Sequence, residues 1–163
     1  MKRLAAAASS CGLPPRRRVL TICRMQSRLS PYLTFRGTAR EAMEFHRTVF
    51  GGTLTVNTYG DYHMPVDPGE ENLLMHSMLE AENGLSFMGS DTPKHMELRQ
   101  GTNVSMALNG DGEAELTGYF TKLSAGGRVE QPLTKAAWRD SFGMLTDRFG
   151  IRWLVNIAGR KGG

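Results

Sequence analysis

The chain repeats itself. Leu33, Gly37, Ala39, Phe45, Gly51-Gly52 and Leu54 are matched 75 positions later by Leu108, Gly112, Ala114, Phe120, Gly126-Gly127 and Val129. Beyond that block a shift of 66 fits better, bringing Met78-Leu79, Gly84, Leu85 and Phe87 onto Met144-Leu145, Gly150, Ile151 and Trp153. The nine-residue difference between the shifts places an insertion in the first copy, around Tyr59 to Glu71. Single matches of this kind mean little, but their common order in two blocks points to internal duplication.

Each copy carries the same succession of periodicities. Tyr32 to Phe35 reads as a short strand, and Thr38 as an N-cap for a helix whose Ala42, Phe45, Val49 and Phe50 recur at helical spacing until Gly51-Gly52 ends it. Thr53 to Tyr59 alternates as a strand does. Asn72 to Leu79 and Leu85 to Ser90 read as two more strands, with a hairpin turn at Glu82-Asn83-Gly84. The second copy predicts a strand over Asn103 to Leu108, a helix over Glu113 to Ser124, and strands over Arg128 to Leu133, Ser141 to Asp147 and Ile151 to Ile157. The expected fold is therefore α+β, two βαβββ modules at about 31–91 and 102–158 within one domain spanning 31–160.

Charge separates a head from this body. The chain holds 20 basic and 16 acidic residues, and seven of the basic ones (Lys2, Arg3, Arg16, Arg17, Arg18, Arg24 and Arg28) lie in residues 1–30, where no acidic residue occurs. That leaves 13 basic against 16 acidic residues in the body, a net of −3, so no basic surface for nucleic acid is expected. Val19 to Cys23 is too short for the apolar core of a secretory signal. The Arg-, Ser- and Ala-rich head reads either as a disordered extension, with translation beginning at Met25, or as a targeting segment. Cys11 and Cys23 both fall within it and cannot staple the body, which fits a reducing cytoplasm. No stretch approaches the roughly 18 uncharged apolar residues of a membrane span.

The body resembles the vicinal-oxygen-chelate superfamily of glyoxalase I, extradiol dioxygenases and bleomycin- or fosfomycin-resistance proteins, and within it the PhnB-like branch. The stretches that carry the likeness include Pro31-Tyr32-Leu33, Ala39 to Phe45, Phe50-Gly51-Gly52, Met75 to Leu79, Ser90-Asp91, Gly126 to Val129, Pro132-Leu133, Trp138 and, most specific, Asp147 to Asn156. The resemblance implies modules that form incomplete β-cups, a homodimer, and a small molecule held in the cup. Metal-dependent relatives take ligands from the first and last strand of each module, and by register these places fall near Pro31, Met88, Asn103 and Leu154. Those side chains do not make a site for a transition ion, so no metal or other cofactor is expected. Of the four histidines, His46 reads as half exposed on the first helix, His63 and His95 as loop residues, and no two have metal-pair spacing.

The inner face of such a cup is expected to carry His76, Met78, Ser90 and Asp91 from the first copy, with Phe142, Met144, Trp153 and Asn156 from the second. Trp138 reads either as a pocket wall or as packing at a strand edge. His76 is either a satisfied core histidine or a pocket acid/base oriented by Asp91. Asp147 and Arg148 read as turn residues. Two functions follow: a metal-free protein that binds a small molecule in a dimeric cup, or an isomerase or lyase using His76 or Asp91 as general base. The methyltransferase label attached to the branch finds no Gly-rich loop to receive a methyl donor.

Overall fold

The computed structural model describes residues 29–159; the reading of the basic head falls almost wholly outside them. Ten elements follow in the expected order: β1 (Tyr32–Phe35), α1 (Ala39–Phe50), β2 (Thr53–Thr58), β3 (Leu74–Glu80), β4 (Ser86–Asp91), β5 (Met106–Gly110), α2 (Glu113–Ser124), β6 (Arg128–Lys135), β7 (Ser141–Thr146) and β8 (Arg152–Ile157). They form two four-stranded sheets of identical topology, β1-β4-β3-β2 and β5-β8-β7-β6. In each, the first strand runs parallel to the last and the other pairs are antiparallel. This is a glyoxalase-like α+β architecture of two βαβββ modules.

The duplication is visible in hydrogen bonds. Ala81 donates its amide to Leu85 at one hairpin, and Asp147 donates to Ile151 at the other, each at 2.9 Å. Gly84 and Gly150 close those hairpins at φ of +84° and +83°, the left-handed region where glycine costs least. Behind each helix the chain must pass close to the hairpin of its own module. A Cβ on Gly52 would fall on the carbonyl oxygen of Glu80, and one on Gly127 on that of Thr146.

Two expectations about local structure change. Thr38 precedes α1, but its side chain makes no capping bond. The first helical amide, of Ala39, donates instead to Asp91 Oδ1 at 3.0 Å, so the helix is capped from β4, 52 residues away. In the second module β5 begins at Met106 rather than Asn103, which lies in the preceding loop.

One core serves both modules. It unites Leu33, Phe35, Met43, Val49, Phe50, Leu79 and Phe87 with Leu116, Phe120, Leu123, Leu145, Trp153 and Val155. Phe50 crosses the junction, its ring 5.5 Å from Trp153 and 5.0 Å from Tyr119. His46, expected half exposed, is fully buried because α1 packs on its own sheet and also meets the β7–β8 hairpin. Among the described residues no helix is long and apolar enough to cross a membrane.

Candidate functional site

The pleat sorts each strand between a core face and an outer face. In the first sheet Leu33, Phe35, Ser77, Leu79, Phe87 and Gly89 turn toward the helices. Tyr32, Thr34, His76, Met78, Met88 and Ser90 alternate with them on the outer face. In the second sheet Leu145, Trp153, Val155 and Ile157 are core, and Phe142, Met144, Thr146, Arg152, Leu154 and Asn156 alternate on the outer face, all partly exposed. Cross-strand register then brings Met78 opposite Met88, Thr34 opposite Ser90, Phe142 opposite Asn156 and Met144 opposite Leu154.

Most of the residues expected in a cavity therefore lie on outer faces, three on that of the first sheet and three on that of the second. His76 sits there with its ring 6.0 Å from that of Tyr32. Trp138, 60% exposed in the β6–β7 loop, stands edge-on to Phe142 with centroids 5.9 Å apart. Asn156 donates to Asp140 Oδ2 at 2.9 Å, which ties the end of β8 to the same loop. Ser90 keeps the outer-face position but is buried.

Two expected site residues lie elsewhere. Asp91 is on the core face, and its oxygens accept the amides of Ala39 and Leu74, each at 3.0 Å. It is a backbone anchor and does not orient His76. Trp153 is 1% exposed and packs on Phe50, Phe87 and His46, because odd-numbered positions of β8 face the helices. It holds the modules together and lines no cup.

A cleft the sequence did not reveal is formed by residues of both modules, and none of the residues expected in a cavity lines it. It encloses about 810 Å³ and is walled by Tyr32 and Thr34 of β1, the 98–106 connection, and Arg128, Glu130, Thr146 and Arg152. Glu130 Oε1 accepts from Thr146 Oγ1 at 2.9 Å and from Arg128 at 3.0 Å, and Arg152 approaches Oε2 at 3.9 Å. These donors, Thr146 first, hold its carboxyl below the ordinary value. Arg152 also donates to the Thr102 carbonyl at 2.7 Å, joining the connection to the sheet. The signal was parity: Thr146 and Arg152 continue the outer-face series of Met144 and Leu154.

Residues 28–155 match the Glyoxalase/Bleomycin resistance protein/Dioxygenase superfamily. The chain belongs to that superfamily. It is 36% identical to the protein PA1353 from Pseudomonas aeruginosa, whose crystal structure superposes with a TM-score of 0.74 over 82% of this chain and 99% of that one. The PhnB protein from Bacillus cereus is 26% identical, with a TM-score of 0.66 over 81% of this chain and all of its own. Protein YjdN from Escherichia coli (strain K12) is 25% identical over 138 residues, 79% of this chain and 94% of that protein.

Metal-dependent members of the superfamily chelate through paired first and last strands, and the register here allows that chemistry to be tested. Tyr32 lies opposite Met88, and Pro31 accepts the Met88 amide through its carbonyl at 3.0 Å. In the second sheet the partner of Leu154 is Ala107, whereas Asn103 stands in the loop before β5. Met88, Ala107 and Leu154 offer no hard or imidazole donor, and a lone phenol does not hold a divalent ion. The superfamily's donor set does not fit these positions.

Proposed function

We propose that this superfamily member is a PhnB-like, cytoplasmic protein that binds a small amphipathic molecule without a metal in its cup, and does so as a homodimer. The observation that carries this reading is the outer-face register itself. Where metal-dependent relatives place chelating side chains, this chain presents Met88, Ala107 and Leu154, flanked by Met78, Phe142 and Met144. Thioether and aromatic side chains make a soft apolar wall that adapts to a ligand's shape. The adjoining cleft adds polar groups, Arg128, Arg152, Thr146 and Tyr32, suited to the ligand's hydrophilic end.

Dimerisation is supported by what each chain leaves open. Seven of the eight residues of β6, an edge strand, are exposed, and an open edge with a half-apolar face beside it favours pairing with another copy. Light scattering on the purified chain is expected to give twice the chain mass. A ligand screen read by Trp138 fluorescence, run on protein treated with a chelator, is expected to find binders that Phe142→Ala and Met144→Ala weaken at least tenfold. Binding that required added metal, or that ignored both substitutions, would overturn the reading.

A further inference from the structure

The inserted loop that breaks the internal repeat meets the connection between the modules at a cluster of three potential ligands. Asp67, Glu70 and His95 each offer one ligand atom, and these atoms lie within 4.8 Å of one another. We propose that they form a divalent transition-metal site of the zinc class, separate from the superfamily's cup position.

The backbone brings the three together through two turns. Asp67-Pro68-Gly69-Glu70 is closed by the Glu70 amide donating to the Asp67 carbonyl at 3.0 Å, with Gly69 at φ +90°. Proline second and a left-handed glycine third define a type II turn, which sets the first and fourth side chains near each other. Across from it, the Met96 amide donates to the Pro93 carbonyl at 3.0 Å and carries His95 on a second turn. Arg36 pins that turn through the Pro93 and Met96 carbonyls, at 3.3 and 2.9 Å. The Lys94 amide, donating to Glu70 Oε1 at 3.1 Å, sutures one turn to the other.

The observation that points to a ligand is the other oxygen of Glu70. This residue is 5% exposed, and its buried Oε2 has no hydrogen-bond partner. A buried carboxylate oxygen without a donor is costly, and a cation placed among the three side chains would supply the missing partner. Two carboxylates and one imidazole suit zinc or manganese, with remaining positions open to water or a ligand. In a tetrahedral site, bonds of about 2.1 Å place ligand atoms roughly 3.4 Å apart, so the exposed Asp67 and His95 side chains must draw in from a present spread of up to 4.8 Å. The bound ion would tie the inserted loop to the connection that continues into the cleft wall at Leu98 and Arg99.

The test uses the full chain, stripped with chelator and dialysed, titrated calorimetrically with zinc chloride and manganese chloride. Cys11→Ser, Cys23→Ser is the background, which removes the thiols as competing zinc ligands. One ion per chain is expected, with a rise in the thermal midpoint. Asp67→Asn and His95→Ala, both at exposed positions, should each weaken binding at least tenfold and abolish the rise, whereas His76→Ala should change neither. Cobalt substitution should give a visible absorption band that His95→Ala removes. Absence of binding overturns the proposal, as does binding that survives Asp67→Asn and His95→Ala or is lost with His76→Ala. The last result would also count against a metal-free cup, whereas absence of binding overturns the metal site alone.

Discussion

His46 on α1 and Asp147 at the β7–β8 hairpin, 101 residues apart, share a fully buried hydrogen bond of 2.9 Å between Nε2 and Oδ2. The same carboxylate accepts Trp153 Nε1 at 3.0 Å and the amides of Phe149 and Ile151 at 2.9 and 3.0 Å. One side chain thus shapes its own turn and fastens module two to the helix of module one. A counterpart exists on the other side of the duplication. Asn83, in the β3–β4 hairpin, donates to Glu115 and Tyr119 of α2, so each hairpin grips the other module's helix. One contact is buried and the other exposed.

Removing the buried acceptor should be severe. Asp147→Ala leaves His46, Trp153 and two amides without their partner, and is expected to cost about 3–5 kcal/mol, the range for breaking buried charged networks. Chemical denaturation at neutral pH measures it. A loss below ~1 kcal/mol, the ordinary effect of a single substitution, would contradict the network's importance.

The same carboxylate predicts acid sensitivity. Burial pushes the Asp147 carboxyl up, but the bonds from His46, Trp153 and Ile151 outweigh it and leave it below the ordinary value. The folded carboxylate therefore binds its proton less tightly than the unfolded one. Its contribution is present above the unfolded value, about pH 4, and is lost as pH falls through the lower folded value. The stability gap between the native chain and Asp147→Asn should be widest near neutrality and narrow below about pH 4. A gap that does not vary with pH would refute this.

Tyr119 predicts an alkaline signature. Burial, and then its bond to Glu115 at 2.6 Å, push its phenol up to about 12. Because the folded state holds this proton more tightly, the associated stability is intact below about pH 10 and drains away as pH rises toward the folded value. Tyrosinate absorbance should show a late-titrating group that Tyr119→Phe removes. Persistence of that group in the variant would assign it elsewhere.

Glycine positions should respond according to what surrounds them. Gly127→Ala drives a methyl into the Thr146 carbonyl and the Asp147 backbone and should destabilise by at least ~1–3 kcal/mol. Gly52→Ala, against Glu80 and Ala81 at φ +85°, should do at least as much. Gly118, inside α2 with nothing within 4 Å of an added methyl group, should gain stability as alanine, by roughly 0.5–1 kcal/mol. Thermal midpoints of the three variants rank them, and a stabilised Gly127→Ala would reject the close-approach argument.

The repeat, the order of strands and helices, and the limits of α2 were legible because periodicity and glycine stops are local properties. The start of β5 was not. Asn103 to Ser105 has no feature to separate it from a strand, and only pairing with β8 selects Met106. Facing was read from neighbouring residue types, which served Met78, Phe142 and Met144 and misled at Trp153. An aromatic suits a core or a cavity equally, and the parity of β8 against α1 chooses. Asp91 was misplaced for the same reason: its neighbour in space is the start of α1, not His76.

The sequence by itself determined a duplicated α+β domain of this superfamily, since the pattern of buried positions recurs in order and the closing segment is specific. At the superfamily's metal positions it placed Met88 and Leu154, but only the strand register put Tyr32 and Ala107 opposite them in place of Pro31 and Asn103. Tertiary structure decided which polar groups meet. His46 bonds Asp147 and Asp91 bonds the first turn of α1 across 101 and 52 residues, and His95 comes within 4.8 Å of Asp67 and Glu70 from the far side of β3 and β4. No local period encodes such contacts, because they arise only when segments distant in sequence are packed together and buried polar atoms draw their partners from across that packing.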